Sequence, residues 1–152
     1  MQRFILVLAA LALIAAARAP APEAIIRQAY DHIIATNAHP DASFLPPESL
    51  YSPRLRALVA AARKAAHGEA ACGLDFVFWV DGQEEDIASA DVSSLPAPDA
   101  ATRIVVAKFV STGQPHELHF TFRRLVGRWR LDDAESVIGT RWVWSRLLQC
   151  KA

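Results

Sequence analysis

The stretch RIVVAKFVSTGQPHELHFTFRRLVGRWRL, residues 103–131, decides the fold. Apolar side chains recur with strand periodicity between two turn signals, which predicts three antiparallel strands joined by hairpins. From Arg103 to Ser111, Ile104, Val106 and Val110 fall on one face and Val105, Ala107 and Phe109 on the other. Two largely apolar faces imply a central strand. Thr112-Gly113-Gln114-Pro115 makes the first turn, and the next strand places Leu118, Phe120 and Phe122 inward with Glu117, His119, Thr121 and Arg123 outward. Val126-Gly127 turns the chain again into Arg128-Trp129-Arg130-Leu131, with Trp129 and Leu131 inside.

Further toward the N-terminus, Leu74-Asp75-Phe76-Val77-Phe78-Trp79-Val80 is aromatic and β-branched and ends at Asp81-Gly82, so it reads as another strand. A soft stretch with Ser93, Ser94, Pro96 and Pro98 follows it. Two amphipathic helices precede it. From Glu23 to Ala35, Ile25, Ile26, Ala29, Tyr30, Ile33 and Ile34 line one helical face, and Asn37 to Pro47 breaks the pattern. Ser52-Pro53 then announces an N-cap and a proline at the first helical position, leading through Leu55, Leu58, Val59, Ala62 and Ala66 to a C-cap at Gly68. On the C-terminal side, Thr140 caps a short helix whose apolar side includes Val143, Trp144, Leu147 and Leu148. Helices followed by an antiparallel meander predict an α+β layer: N-terminal helices packed on the sheet, with a short C-terminal helix.

Residues 1–17, MQRFILVLAALALIAAA, read as a secretory signal peptide. Arg3 forms the positive n-region, and Phe4 to Ala17 is an uncharged apolar run of fourteen residues. That is shorter than the roughly 20 residues of a spanning helix. Small residues allow cleavage after Ala17 or Ala19; Pro20 disfavours the second. The remainder, 18–152, has the size of one domain. The chain balances 16 basic against 16 acidic residues, so it carries no global bias toward nucleic acid or an anionic membrane. A charged partner must be met by a local patch. In a periplasmic or secreted setting Cys72 and Cys150 are expected to form a disulfide, closing a loop of about 78 residues that stabilises by roughly 4–5 kcal/mol. Two free thiols, or a reactive Cys72 near His67, are the alternatives.

The order Tyr51-Ser52-Pro53-Arg54-Leu55, Gly73-Leu74-Asp75-Phe76, Gln83 to Asp86, and Gly127-Arg128-Trp129-Arg130-Leu131-Asp132-Asp133 resembles the exported bacterial domain-of-unknown-function 3828 family. The similarity spans roughly residues 22–149. It implies a branch of the nuclear transport factor 2-like superfamily, in which a curved antiparallel sheet wraps helices into a cone; a cystatin-like arrangement has a similar shape. Phe76-Val77-Phe78-Trp79 departs from the pattern, where an acidic residue is expected soon after Asp75. The family implies no activity.

Several groups invite chemistry. Asp81, Glu84, Glu85 and Asp86 form an acidic loop that offers hard oxygen ligands to calcium, but without EF-hand spacing; a solvated turn is the simpler reading. His32, His39, His67, His116 and His119 follow no zinc or triad signature, and His116 and His119 point to opposite faces of a strand. Arg123, Arg128 and Arg130 share an outer sheet face while Arg124 turns away. Glu117, Asp132 and Asp133 stand ready to pair with them, and an anionic ligand or acidic protein surface ranks ahead of nucleic acid. Trp79, Trp129, Trp142 and Trp144 are many for this length, and Trp142 and Trp144 lie about 200° apart on the expected helix, so they cannot both face the core. Trp129 is expected in the core.

The ligand-binding candidates are therefore Tyr30, Trp79, Trp142, Trp144, Arg123, Arg128 and Arg130. No catalytic residue or cofactor is assigned. The expected function is an exported binding or interaction module for an unknown small molecule or exported protein, such as an inhibitor or immunity-type partner, with no membrane span after cleavage. The alternative is a small cavity isomerase or hydrolase that drafts Tyr30, Asp31, His32 or Asp75. Without convergent groups it ranks second.

Overall fold

The computed structural model describes residues 19–37, 47–67, 73–75, 77–82 and 86–149. Their order is α1 (Pro22–Asn37), a 3₁₀ turn (Glu48–Leu50), α2 (Pro53–Ala65), β1 (Ile87–Leu95), β2 (Thr102–Ser111), β3 (Gln114–Leu125), β4 (Arg128–Ser136), β5 (Trp142–Val143) and α3 (Trp144–Leu147). The fold is α+β, and the strands form an open antiparallel sheet in the order β1-β2-β3-β4-β5.

The alternation read in residues 103–131 sets the register. Val105 faces Phe120 and Phe122 faces Leu131 across neighbouring strands, and all four are fully buried. The opposite face of β2 is only partly covered: Val106 is buried, but Val110 is 56% exposed. Onto the inner face α1 lays Ile26, Ala29, Tyr30 and Ile33, with the Tyr30 ring 5.5 Å from Phe109 and 6.4 Å from Phe120. Arg27 fastens the same helix to the β1 backbone through the Val92 carbonyl, at 3.1 Å. Ser52 caps α2 as its sequence predicts, accepting the Leu55 N–H at 3.1 Å ahead of Pro53. Gly68 lies outside the described residues; α2 ends at Ala65, and His67 takes the left-handed turn with φ 50°.

Three expectations change. The segment read as a strand over Leu74–Val80 instead forms a turn over residues 77–82, in which Val77 N–H donates to the Gly82 carbonyl at 2.8 Å and Val80 N–H to Val77 at 3.0 Å. Phe78, Trp79 and Val80 are all buried, a run that a strand with one face on the core cannot supply. The soft stretch after it contains β1, an edge strand that buries only Ile87 and Val92 and is held by its backbone ladder to β2. Its sparse apolar pattern hides it. Finally, the C-terminal helix is a single turn whose N-cap is Val143, not Thr140, because Trp142 and Val143 pair with β4 first. The two tryptophans thus leave from different elements, and the helical angle between them does not apply.

Asp81 joins the 77–82 turn to the sheet. Its backbone is left-handed, φ 54°, a conformation that Asp tolerates better than most residues. Its carboxylate accepts from Ser136 Oγ of β4 at 2.9 Å and from Trp142 Nε1 of β5 at 2.5 Å, and pairs with His116 Nδ1 of β3 at 2.9 Å. The side chain is only 10% exposed. Removing it strands those donors, so Asp81→Ala is expected to lower the free energy of unfolding by about 3 kcal/mol. Urea denaturation followed by tryptophan fluorescence checks this.

Candidate functional site

The segment 47–52 reaches the sheet before α2 begins. Tyr51 bridges to Leu131 in parallel, and Ser52 N–H donates to the Leu131 carbonyl at 2.7 Å. A bulge in β4 then places Asp132 and Asp133 in succession opposite a single step of β3, since Thr121 faces Asp133 while Phe122 faces Leu131. The extra residue frees both carboxylates for partners at the strand edge. Asp132 accepts from Ser52 Oγ at 2.6 Å and binds Arg54 through its carboxylate at 3.2 Å and through its carbonyl. Asp133 accepts from Ser145 N–H at 3.0 Å and Ser145 Oγ at 2.5 Å, which docks α3. Two separated motifs of the sequence, Tyr51 to Leu55 and Leu131 to Asp133, thereby form one joint.

Above this joint, α2, residues 73–75 and 77–79, and Trp144 line an open cavity of about 300 Å³. Its wall is mainly aromatic. Phe78 stacks on Trp144 with ring centres 3.8 Å apart, Tyr51 meets Trp144 edge-on at 5.7 Å, and Trp79 stacks on Phe120 at 5.0 Å. Val59, Leu74 and Val77 add aliphatic surface, while Arg63 and Asp75 bring charge. Arg63 is 57% exposed and pairs with Glu48 at 2.5 Å. Gly73 fits against α3 with no room for a side chain: a Cβ there would stand 2.7 Å from Leu147 Cβ. Its carbonyl accepts the Trp144 indole N–H at 3.0 Å.

Two polar groups in this wall are unusual. Trp79 Nε1 is buried and makes no hydrogen bond of normal geometry among the described residues. It stands near enough to the Tyr51 hydroxyl to favour its anion slightly, but burial, reinforced by Glu48, dominates and pushes Tyr51 up to about 12. Tyr30 lies deeper. Its hydroxyl donates to the Trp79 carbonyl at 2.7 Å, and burial, then the Asp81 charge, raise its pKa well above the usual value.

Of the sequence candidates, Trp79 and Trp144 line the cavity; the others lie outside its wall. Tyr30 is core, 1% exposed. Trp142 is half-buried and spends its N–H on Asp81. Arg123 and Arg130 lie opposite each other on β3 and β4, but their partners are not the expected ones. Arg123 binds Thr102 and Asp99, and Arg130 binds the Ser49 carbonyl. Glu117 instead pairs with Lys108 at 3.2 Å and His119 at 2.8 Å, and the His119 contact leads in holding its carboxyl below the usual range. Arg128 sits exposed at the start of β4. Trp129 is half-buried between Arg103 and Arg124 rather than fully in the core. Asp81 is taken by its three partners and Asp86 is exposed; Glu84, Glu85, Cys72, Cys150 and His39 lie outside the described residues. Asp31 and His32 are exposed on α1. His116 stacks on Phe109 at the inner face while His119 is on the outer one.

Tyr51, Phe78 and Leu74 are cavity residues that the sequence reading did not select. Adjacent aromatics at 78 and 79 were the available signal, because a one-sided strand would have exposed one of them. Comparison of the chain with protein-family models, with curated proteins and with solved structures finds no match to any of the three.

The chain has two tyrosines, Tyr30 and Tyr51. Both bind their proton more tightly folded than unfolded, so their contribution to stability is complete below pH 10 and declines as pH rises toward 12. In a spectrophotometric titration, native protein is expected to show no tyrosinate at pH 10, whereas urea-unfolded protein is half-ionised there.

Proposed function

We propose that the chain is an exported, periplasmic binding module that holds a small, mostly apolar molecule carrying one hydrogen-bond acceptor in the cavity bounded by Tyr51, Trp79 and Trp144. The observation that carries this reading is the Trp79 indole N–H, buried beside the cavity with the Tyr51 hydroxyl near it but no hydrogen bond of normal geometry among the described residues. A buried donor left unpaired is unfavourable, and an acceptor on a bound molecule would compensate it. The aromatic wall suits a flat apolar body, and Arg63, paired with Glu48, and Asp75 give its rim both signs of charge. The cavity-enzyme alternative has less support: the Tyr51 hydroxyl, with its pKa near 12, is a poor general base at neutral pH.

The cone-shaped arrangement of the exported domain-of-unknown-function 3828 family belongs to the same proposal. It is supported by the meeting of Ser52 and Arg54 with Asp132, since these residues come from the stretches that carry the resemblance. Export rests on the charge and apolar run of residues 1–17. A Cys72–Cys150 disulfide fits the contact of Gly73 with Leu147 and Leu148, the described residues close to each cysteine in sequence. Protein recovered from the periplasm and then unfolded is expected to show no titratable thiol. Two thiols there would refute the bridge.

Leu74→Trp fills the cavity from its half-buried wall. Benzoate and methyl benzoate serve as anionic and neutral probes in tryptophan-quenching titrations. Wild-type protein is expected to bind at least one of them, and Leu74→Trp to bind about tenfold more weakly with an unchanged unfolding midpoint. If wild-type protein binds neither and native mass spectrometry finds no small molecule carried through purification, the cavity is not a binding site.

A further inference from the structure

The hairpin between β3 and β4 closes on Val126 and Gly127, with φ 47° and 74°. Positive φ at both central residues is the pattern of a type I′ turn, for which Asn-Gly is the favoured pair. A β-branched residue at the first position is a steric outlier. Burial does not compensate it, because Val126 is wholly exposed, and the adjoining Leu125 is 38% exposed. The chain therefore keeps a strained residue that contributes nothing visible to its own core. The β2–β3 hairpin makes the same turn with Thr112 and Gly113, φ 49° and 77°, but its tip is polar; the exposed apolar tip is what sets the β3–β4 hairpin apart and points outside the molecule.

The surroundings indicate what meets it. Arg123, Arg124 and Arg128 collar the tip, and no acidic residue occurs from Leu118 to Leu131. Arg123 is engaged with Asp99 and Thr102, whereas Arg124 and Arg128 make no ion pair among the described residues. Behind them Trp129 lies half-buried, with the Arg103 and Arg124 guanidinium carbons 5.9 and 6.0 Å from its ring centre. Apolar side chains at a protruding tip, cations around them and an indole just behind match the layers of a bilayer surface.

We propose that the β3–β4 hairpin docks the protein on an anionic phospholipid leaflet. Val126 and Leu125 enter the acyl boundary, and Arg124 and Arg128 meet the headgroup phosphates. A bilayer fits better than a protein partner because the apolar element is convex: a fluid interior admits it directly, while a protein would need a matching pocket. The net charge of zero makes the attraction local and short-ranged. None of the cavity residues takes part, so the proposal stands apart from ligand binding.

The test is co-sedimentation with vesicles at low salt. Phosphatidylcholine vesicles containing phosphatidylglycerol are expected to bind the wild-type protein, and pure phosphatidylcholine to bind it at least about tenfold more weakly. Val126→Asn suits the left-handed backbone, so its thermal midpoint is expected to rise while binding falls about tenfold. The double variant Arg124→Gln, Arg128→Gln is expected to bind anionic vesicles about 25-fold more weakly. Absence of binding to anionic vesicles overturns the proposal, as does a stabilised Val126→Asn that binds as well as wild type. Salt-sensitive binding to polyglutamate without vesicle binding also overturns it, in favour of an acidic protein surface.

Discussion

A single carboxylate, that of Asp81, connects the part of the chain that does not belong to the sheet with three of its strands. His116, Ser136 and Trp142 converge on it from β3, β4 and β5. Because the group is mostly shielded from water, each contact is stronger than its surface counterpart and costlier to lose. The turn it anchors carries Phe78, Trp79 and Val80 into the core, and Trp79 in turn receives the Tyr30 hydroxyl from α1 on its carbonyl. One polar junction thus fixes the position of a helix, a turn and three strands relative to one another.

A second junction works at the edge of β4. The bulge at Asp132 turns two consecutive acids into separate anchors, one for the start of α2 and one for α3. Both anchors combine charge with backbone or hydroxyl donors, the kind of contact that fixes orientation more than it adds net stability. The cavity lies between the elements they hold, so the geometry of its aromatic wall follows from these two acids and from Asp81.

The central strands and both N-terminal helices were legible because their side chains alternate or recur with the period of a buried face. Phe120 and Phe122 against Arg123, or Ile26, Tyr30 and Ile33 on one stripe, leave little choice. β1 was not legible, since an edge strand held by backbone hydrogen bonds needs few apolar residues. The turn at 77–82 has the sequence signature of a strand because three consecutive aromatic or β-branched residues have strand composition whatever their conformation; Asp81, the residue that decides the matter, acts through partners 35 to 61 positions away. For the site, tryptophan content pointed to Trp79 and Trp144, but Tyr51 depends on a bridge to Leu131 that no local pattern announces.

The strand order, identical to the order in sequence, bears on how the molecule assembles. Each strand pairs with its neighbour in the chain, so the meander closes through short loops with little entropy to overcome. The joints at Asp81 and Asp132 instead bridge long separations, whose closure costs more chain entropy. The cavity is therefore walled by elements held through non-local contacts rather than by the ladder of the sheet. Loosening the turn at residues 77–82 would open this wall while the meander stays paired.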